Sequence, residues 1–271
     1  MSEFWDKGWS LRLESTDSKH FVNEKSIKLR EIVKKSLNSL LSEKHHITDV
    51  MPCGDKTILN IGCGIGEAEL FALMGAKNYI GIDYSFNAVK YSLENIRKLG
   101  GSGITALANA ELLPIEDSSI DHIYSNGVLH HTPETQKTLD EVIRVLKPSG
   151  KGIIGLYNIW SPLFFIYGHI LGSIRTVFSK HYKRWYEYGE SAWKTKGCNN
   201  PWTKAYSLRE LNKMFSQYDL LDLTFRKTGF SWKNTIPIFG KIIDKTQFGK
   251  QSSIYLQSKL GQMWVITFIK K

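Results

Sequence analysis

TILNIGCGIGEAELFALMGAKNYIGIDYS, residues Thr57–Ser85, carries more structural information than any other stretch of this 271-residue chain. Thr57–Ile61 is a short apolar run rich in strand formers, and it breaks into Gly62, Gly64 and Gly66 with only Cys63 and Ile65 between them. Ala68, Phe71, Ala72 and Gly75 then fall three or four apart, the spacing of one helix face. A second apolar run, Tyr79–Ile82, ends on Asp83. The order is strand, glycine turn, helix, strand, acid. Glycines at such a turn let the backbone approach a ligand, and the helix that follows is expected to offer free N–H groups. Asp83 lies 21 positions after Gly62. An acid about 20 residues past the turn can accept from the two hydroxyls of a ribose.

The glycine spacing discriminates between nucleotide ligands. A dinucleotide fingerprint places its third glycine three positions after the second. Here that position is Glu67, and Gly66 comes one residue early. No lysine followed by Ser or Thr closes the turn, which excludes a phosphate-binding P-loop. G-x-G-x-G at a strand end resembles motif I of the class I S-adenosylmethionine-dependent methyltransferases, whose ligand carries a sulfonium and an amino acid in place of a pyrophosphate. Further segments are similar to that family. Asn109–Ala110–Glu111–Leu112–Leu113–Pro114 resembles its D-A-E-x-L-P segment after strand three. Asn126–Gly127–Val128–Leu129–His130–His131–Thr132–Pro133 resembles its segment after strand four, and Arg144–Gly150, RVLKPSG, its turn before strand five. Tyr206–Leu211, YSLREL, resembles the start of its last helix. The resemblance covers about residues 56–157.

The resemblance implies a doubly wound α/β sheet of seven strands in the order 3-2-1-4-5-7-6, strand seven antiparallel, with helices on both faces and a helical lid insertion. Strands are expected at Thr57–Ile61, Tyr79–Ile82, Ile104–Ala108, Ser119–Ser125, Gly152–Tyr157, Leu220–Phe225 and Met263–Ile269. The expected division is 1–50 as N-terminal flap and helix, 51–157 as cofactor-binding core, 158–205 as lid and 206–271 as the rest of the sheet. It also implies S-adenosyl-L-methionine as cofactor, held by Asn60, Gly62, Cys63, Gly64, Gly66, Asp83, Tyr84, Ser85, Asn109, Ala110, Glu111, Asn126 and Gly127. Asn60 and Asn109 stand where many relatives carry an acid; an amide still donates and accepts hydrogen bonds but brings no charge.

Methyl transfer from a sulfonium is an in-line displacement of an already activated carbon. The protein must hold the acceptor within about 3 to 3.5 Å of it and exclude water. An oxygen or nitrogen acceptor also benefits from a base. His130 and His131 are the candidate bases, because an imidazole titrates near neutral pH; Tyr157, or Asn158, is the candidate for orienting the acceptor. No metal is required, and the adjacent His45 and His46 have no further ligands at metal spacing.

Residues 158–205 form a longer connection than an α/β loop needs. They carry eleven aromatics, among them Trp160, Phe164, Phe165, Trp193 and Trp202, and seven Lys or Arg against Glu187 and Glu190. The expectation is an aromatic lid over a small-molecule acceptor, with peripheral membrane contact through 160–185. Phe4, Trp5, Trp9 and Phe21 suggest an N-terminal segment packed on the core, followed by a helix over 23–43. Ile236–Phe239 is expected to add a wall to the acceptor pocket. The formal net charge of +10 attracts nucleic acid, anionic lipid or acidic metabolites alike. No RNP pattern and no N-P-P-Y segment after strand four is found, which argues against an RNA methyltransferase. The two amides at Asn60 and Asn109 raise the further alternative of a non-catalytic binding module. Three cysteines without metal spacing, no signal-peptide core and no run of about 18 apolar residues point to a reducing cytoplasm. The sequence leaves the acceptor and the oligomeric state open.

Overall fold

The computed structural model describes residues 6, 53–64, 71, 75–76, 78–98, 100–162, 164–165, 202–230, 235 and 237–271. The expected flap and helix before residue 50, His45 and His46, Gly66 and most of the expected lid lie outside these residues.

The described strands are β1 (Thr57–Ile61), β2 (Asn78–Asp83), β3 (Gly103–Leu107), β4 (Ile120–Asn126), β5 (Leu146–Tyr157), β6 (Leu220–Thr228) and β7 (Met263–Lys270). They form one sheet in the order β3-β2-β1-β4-β5-β7-β6. β1 to β5 pair in parallel, and β7 runs antiparallel to both β5 and β6. This is the expected topology. The described helices of more than one turn are α1 (Phe86–Lys98), α2 (Thr135–Val145), α3 (Leu208–Phe215), α4 (Pro237–Ile243) and α5 (Gln247–Leu260).

Strand periodicity divides the core into two layers. Ile58, Tyr124, Ile153 and Val265 point into one cluster with Ile96 of α1. Their neighbours Leu59, Ile123, Ile154 and Ile266 point into the other, with Leu139, Val142 and Val145 of α2 and Leu211 and Phe215 of α3. Successive side chains of a strand face opposite ways, so central strands covered on both sides read as continuous apolar runs. Local chemistry starts the helices. Ser85 Oγ accepts from the Ala88 N–H at the start of α1, and Ser207 with Glu210 forms a reciprocal capping box on α3.

β5 differs from expectation. The chain pairs with β4 directly after α2, at Leu146 against Ile120, and the register shifts before Lys151 reaches His122. Lys147–Gly150 therefore forms part of an irregular strand, where a free turn is expected from Pro148 and Gly150. A bulge absorbs the proline without losing the pairing on either side.

The connection from β3 to β4 is tied to α2 by one side chain. Arg144 donates to the carbonyls of Leu113 and Ile115 at 3.1 and 2.8 Å and pairs with Glu141 and Asp117. Glu141 in turn accepts the Leu113 N–H at 2.7 Å. Arg144→Ala is expected to destabilise the fold by about 1–2 kcal/mol, mostly through orphaned carbonyls rather than the exposed ion pair. A lowered urea midpoint at unchanged slope is the observation that checks it.

Candidate functional site

The carboxyl ends of β1, β2, β4 and β5 share one edge of the sheet, and the site is built there. β1 stops at Gly62, where φ is +75°. A side chain at this position would also run into Val128. The turn folds back over β2: the N–H groups of Gly62 and Cys63 both reach the Ile82 carbonyl, at 2.7 and 2.9 Å. The next N–H, from Gly64, donates to Asp83 Oδ2 at 3.0 Å, and Ser85 N–H donates to Asp83 Oδ1 at 2.9 Å. Burial pushes the Asp83 carboxyl up to about 6, opposed by the backbone donors of Ser85, Gly64 and Tyr84. Two carboxylate oxygens offer about four lone-pair sites, so the carboxylate still has room to accept from a ligand hydroxyl.

The N–H groups of residues 62–64 are thus spent within the protein. A pyrophosphate would need them, while an adenosyl sulfonium would not. The expected free N–H groups of the following helix fall outside the described residues.

A second carboxylate closes this corner. Ser85 Oγ donates to Asp6 Oδ1 at 2.5 Å, and Asn87 N–H reaches the same oxygen at 3.3 Å. Nothing in the sequence singles out Asp6, which is 79 residues from Ser85. Tyr84 is exposed and Cys63 buried.

The two amides take different places. Asn60 is fully buried and donates Nδ2–H to the Tyr79 hydroxyl at 3.0 Å; its Oδ1 has no partner among the described residues. Asn109 is exposed and its Oδ1 accepts the Glu111 N–H at 3.0 Å, so it shapes the turn that holds Ala110. Glu111 accepts the Glu134 N–H at 2.7 Å, at the start of α2. Asn126, at the end of β4, lies across Gly155, where a side chain would displace it. Its Oδ1 is buried without a partner among the described residues. Gly127 follows with φ of +76° and donates to the Gly155 carbonyl at 3.1 Å.

His130 and His131 sit in a single 3₁₀ turn, Leu129–His131, beside the end of β5. Their ring centroids are 4.2 Å apart, and Tyr157 lies 3.7 Å from His130 and 5.7 Å from His131. Phe164 extends the ring cluster at 4.8 Å from Tyr157. His130 is fully buried, and neither nitrogen finds a partner among the described residues. Burial, with His131 adding repulsion, holds its pKa well below the usual imidazole value, so it is neutral. His131 Nδ1 lies 3.1 Å from the Trp202 carbonyl. A carbonyl can only accept, so a proton on Nδ1 satisfies this contact, and the Thr203 hydroxyl lies 3.4 Å from the same nitrogen.

Asn158 has a different role from the one expected. It is fully buried; Nδ2 donates to the Gly261 carbonyl at 2.8 Å and Oδ1 accepts the Trp160 N–H at 3.1 Å. Its amide is committed to backbone and joins chain segments instead of facing an acceptor. Beside it, Tyr206 N–H donates to the Tyr157 carbonyl at 2.8 Å, and Ile159 N–H donates to the Tyr206 carbonyl at 3.2 Å. The 158–205 excursion therefore leaves and returns at one point. Among the described residues, no cluster of His, Cys, Asp and Glu could hold a metal. No described helix is long and apolar enough to cross a membrane.

Comparison with known proteins identifies the family. The family model described as "Methyltransferase domain" matches residues 59–154. The sterol 4-C-methyltransferase strm-1 of Caenorhabditis elegans is 35% identical over 140 residues, 50% of this chain and 40% of that protein. The demethylmenaquinone methyltransferase of Bacillus cytotoxicus is 30% identical over 178 residues, 58% of this chain and 73% of that protein. The chain spans only 40% of the length of strm-1, and 24% and 56% of the lengths of two other curated relatives it matches. The solved structure of Haemonchus contortus phosphoethanolamine N-methyltransferase 2 with S-adenosyl-L-methionine shares the fold. Its TM-score is 0.55 at 18% identity, over 86% of this chain and 52% of that one.

Gly62→Ala is expected to destabilise the protein by at least about 2 kcal/mol, from a left-handed alanine and the clash with Val128. The double variant with Val128→Ala should recover the clash and leave the backbone strain. A thermal-unfolding double-mutant cycle separates the two.

Proposed function

We propose, from the premise that this chain belongs to the class I S-adenosylmethionine-dependent methyltransferases, that it methylates an oxygen or nitrogen of a small or medium-sized metabolite. The observation that carries the reading is the pairing, on one sheet edge, of the Gly64–Asp83–Ser85 corner with the His130–His131–Tyr157 ring cluster.

When bound, S-adenosylmethionine supplies a methyl group activated by a sulfonium. In this reading Asp83 accepts from the ribose hydroxyls, while Gly62, Cys63, Gly64 and Gly66 keep side chains clear of the ligand. Tyr84, Ser85, Asn109, Ala110 and Glu111 border the adenosine, and Asn60, Asn126 and Gly127 border the amino-acid end. The buried, unpartnered Oδ1 of Asn126 supports this fit, since a ligand ammonium is the kind of donor it lacks. His131 takes the proton that the acceptor loses as its new bond to carbon forms. His130 and Tyr157 form the wall that excludes water. The 158–205 excursion acts as the lid, its two ends meeting beside these rings. The relatives' names refer to a sterol, phosphoethanolamine and a menaquinone precursor, which supports a small or medium-sized metabolite without choosing its polarity.

Binding of S-adenosylhomocysteine, followed by calorimetry against pH, tests the cofactor half. Asp83 is ionised above about 6 and protonated below it, and the anion is the better acceptor. Affinity should therefore be flat above that value and fall by up to about tenfold per pH unit beneath it. Asp83→Asn should bind weakly with no such break. A wild-type protein without affinity for this ligand sinks the reading.

The acceptor half is tested by S-adenosylhomocysteine release with a sterol, a quinol and an ethanolamine phosphate as trial acceptors. His131→Ala is expected to lower turnover by about a hundredfold or more while cofactor affinity is kept. Full turnover in both His131→Ala and His130→Ala would remove the base from the mechanism.

A further inference from the structure

The excursion between β6 and β7 carries apolar side chains that the fold leaves uncovered. Phe239 and Ile242, one turn apart on α4, are 64% and 66% exposed; Phe248 and Tyr255, two turns apart on α5, are 70% and 61% exposed. Phe239 is thus left uncovered by the protein itself. Scattered single apolar residues need no explanation, but four large ones on two consecutive short helices do.

Charge identifies what covers them. Residues 237–260 contain Lys241, Lys245, Lys250 and Lys259 against the single acid Asp244. Lys245 and Lys250 are exposed, flanking Phe248 in sequence. Lys259 donates to the Tyr255 hydroxyl at 2.8 Å and lies 4.8 Å from its ring centroid. A symmetric contact between two copies would bring this cationic patch against itself. Large exposed apolar side chains interspersed along the chain with lysines match a bilayer interface that carries negative headgroups.

Topology places this surface on the site edge of the sheet. Met263 of β7 pairs with Tyr157 at the end of β5 and with Thr228 at the end of β6. The Asn158 amide joins Gly261, immediately before β7, to the start of the 158–205 excursion. We propose that α4 and α5 dock the protein onto an anionic lipid bilayer through Phe239, Ile242, Phe248 and Tyr255. Given the methyltransferase reading above, on which this second step rests, the acceptor then reaches the ring cluster from the bilayer rather than from bulk water.

Flotation of the whole protein with vesicles of phosphatidylcholine alone, or with added phosphatidylglycerol, tests docking. The wild type should float with the anionic vesicles and be released by salt. Phe239→Ser with Phe248→Ser should lower partition by at least about tenfold. Thermal stability and S-adenosylhomocysteine affinity should stay unchanged, because both side chains face solvent. Docking is overturned if the wild type ignores anionic vesicles, or if the double variant partitions like it. It is also overturned if sedimentation reveals a dimer that the same substitutions break. Failure to bind S-adenosylhomocysteine would sink the methyltransferase reading and leave the flotation result standing.

Discussion

The Asp83 carboxylate, held between the N–H groups of Gly64 and Ser85, is the constraint from which the rest of the site follows. It ties the turn after β1 to the end of β2, so two parallel strands finish in a fixed mutual position. Burial makes the anion costly, as its upward shift shows, and the backbone donors of Ser85, Gly64 and Tyr84 offset part of that cost. A neutral amide would have to turn one NH₂ group toward an N–H donor. The same hydrogen bond uses up the last of the three turn amides, so none of them is left to bind a phosphate.

Asn158 does at the other end of the edge what Asp83 does here. Its backbone N–H reaches the Gln262 carbonyl at 2.8 Å, and its side chain reaches Gly261 and Trp160. One residue thus joins β5, the chain leading into β7 and the start of the 158–205 excursion. Trp264 Nε1 adds a bond to the Tyr206 carbonyl at 2.9 Å, and the Tyr206 hydroxyl donates to Thr135 at 2.8 Å. The ring cluster of His130, His131 and Tyr157 is boxed by these joints. Its geometry therefore belongs to the folded sheet and not to the excursions alone.

The central strands were legible in the sequence because they are covered on both faces. Ile58–Leu59, Ile153–Ile154 and Val265–Ile266 each send one residue to each layer, which leaves no polar gap in the run. Strand order came from resemblance, since periodicity says nothing about neighbours. The glycine turn and Asp83 were legible because their chemistry is local. Asn158 was not: its partner Gly261 is 103 residues away, and an asparagine does not announce a carbonyl. Asp6 was hidden for the same reason. The start of β5 was misplaced because Pro148 and Gly150 look like a turn when the bulge that accommodates them is out of view.

Two adjacent histidines show how far environment outruns sequence. His131 has its Nδ1 held by the Trp202 carbonyl at 3.1 Å, which fixes the orientation of its ring. His130 is sealed against Tyr157 with neither nitrogen paired among the described residues. A neutral imidazole in that position costs the hydrogen bonds it would make to water. A fold that tolerates such a cost beside its binding edge keeps a flat, weakly basic ring there. In the proposed mechanism that ring contributes shape and dryness, and His131 beside it accepts the proton. The division of labour follows from where each ring sits, since the residue type is the same.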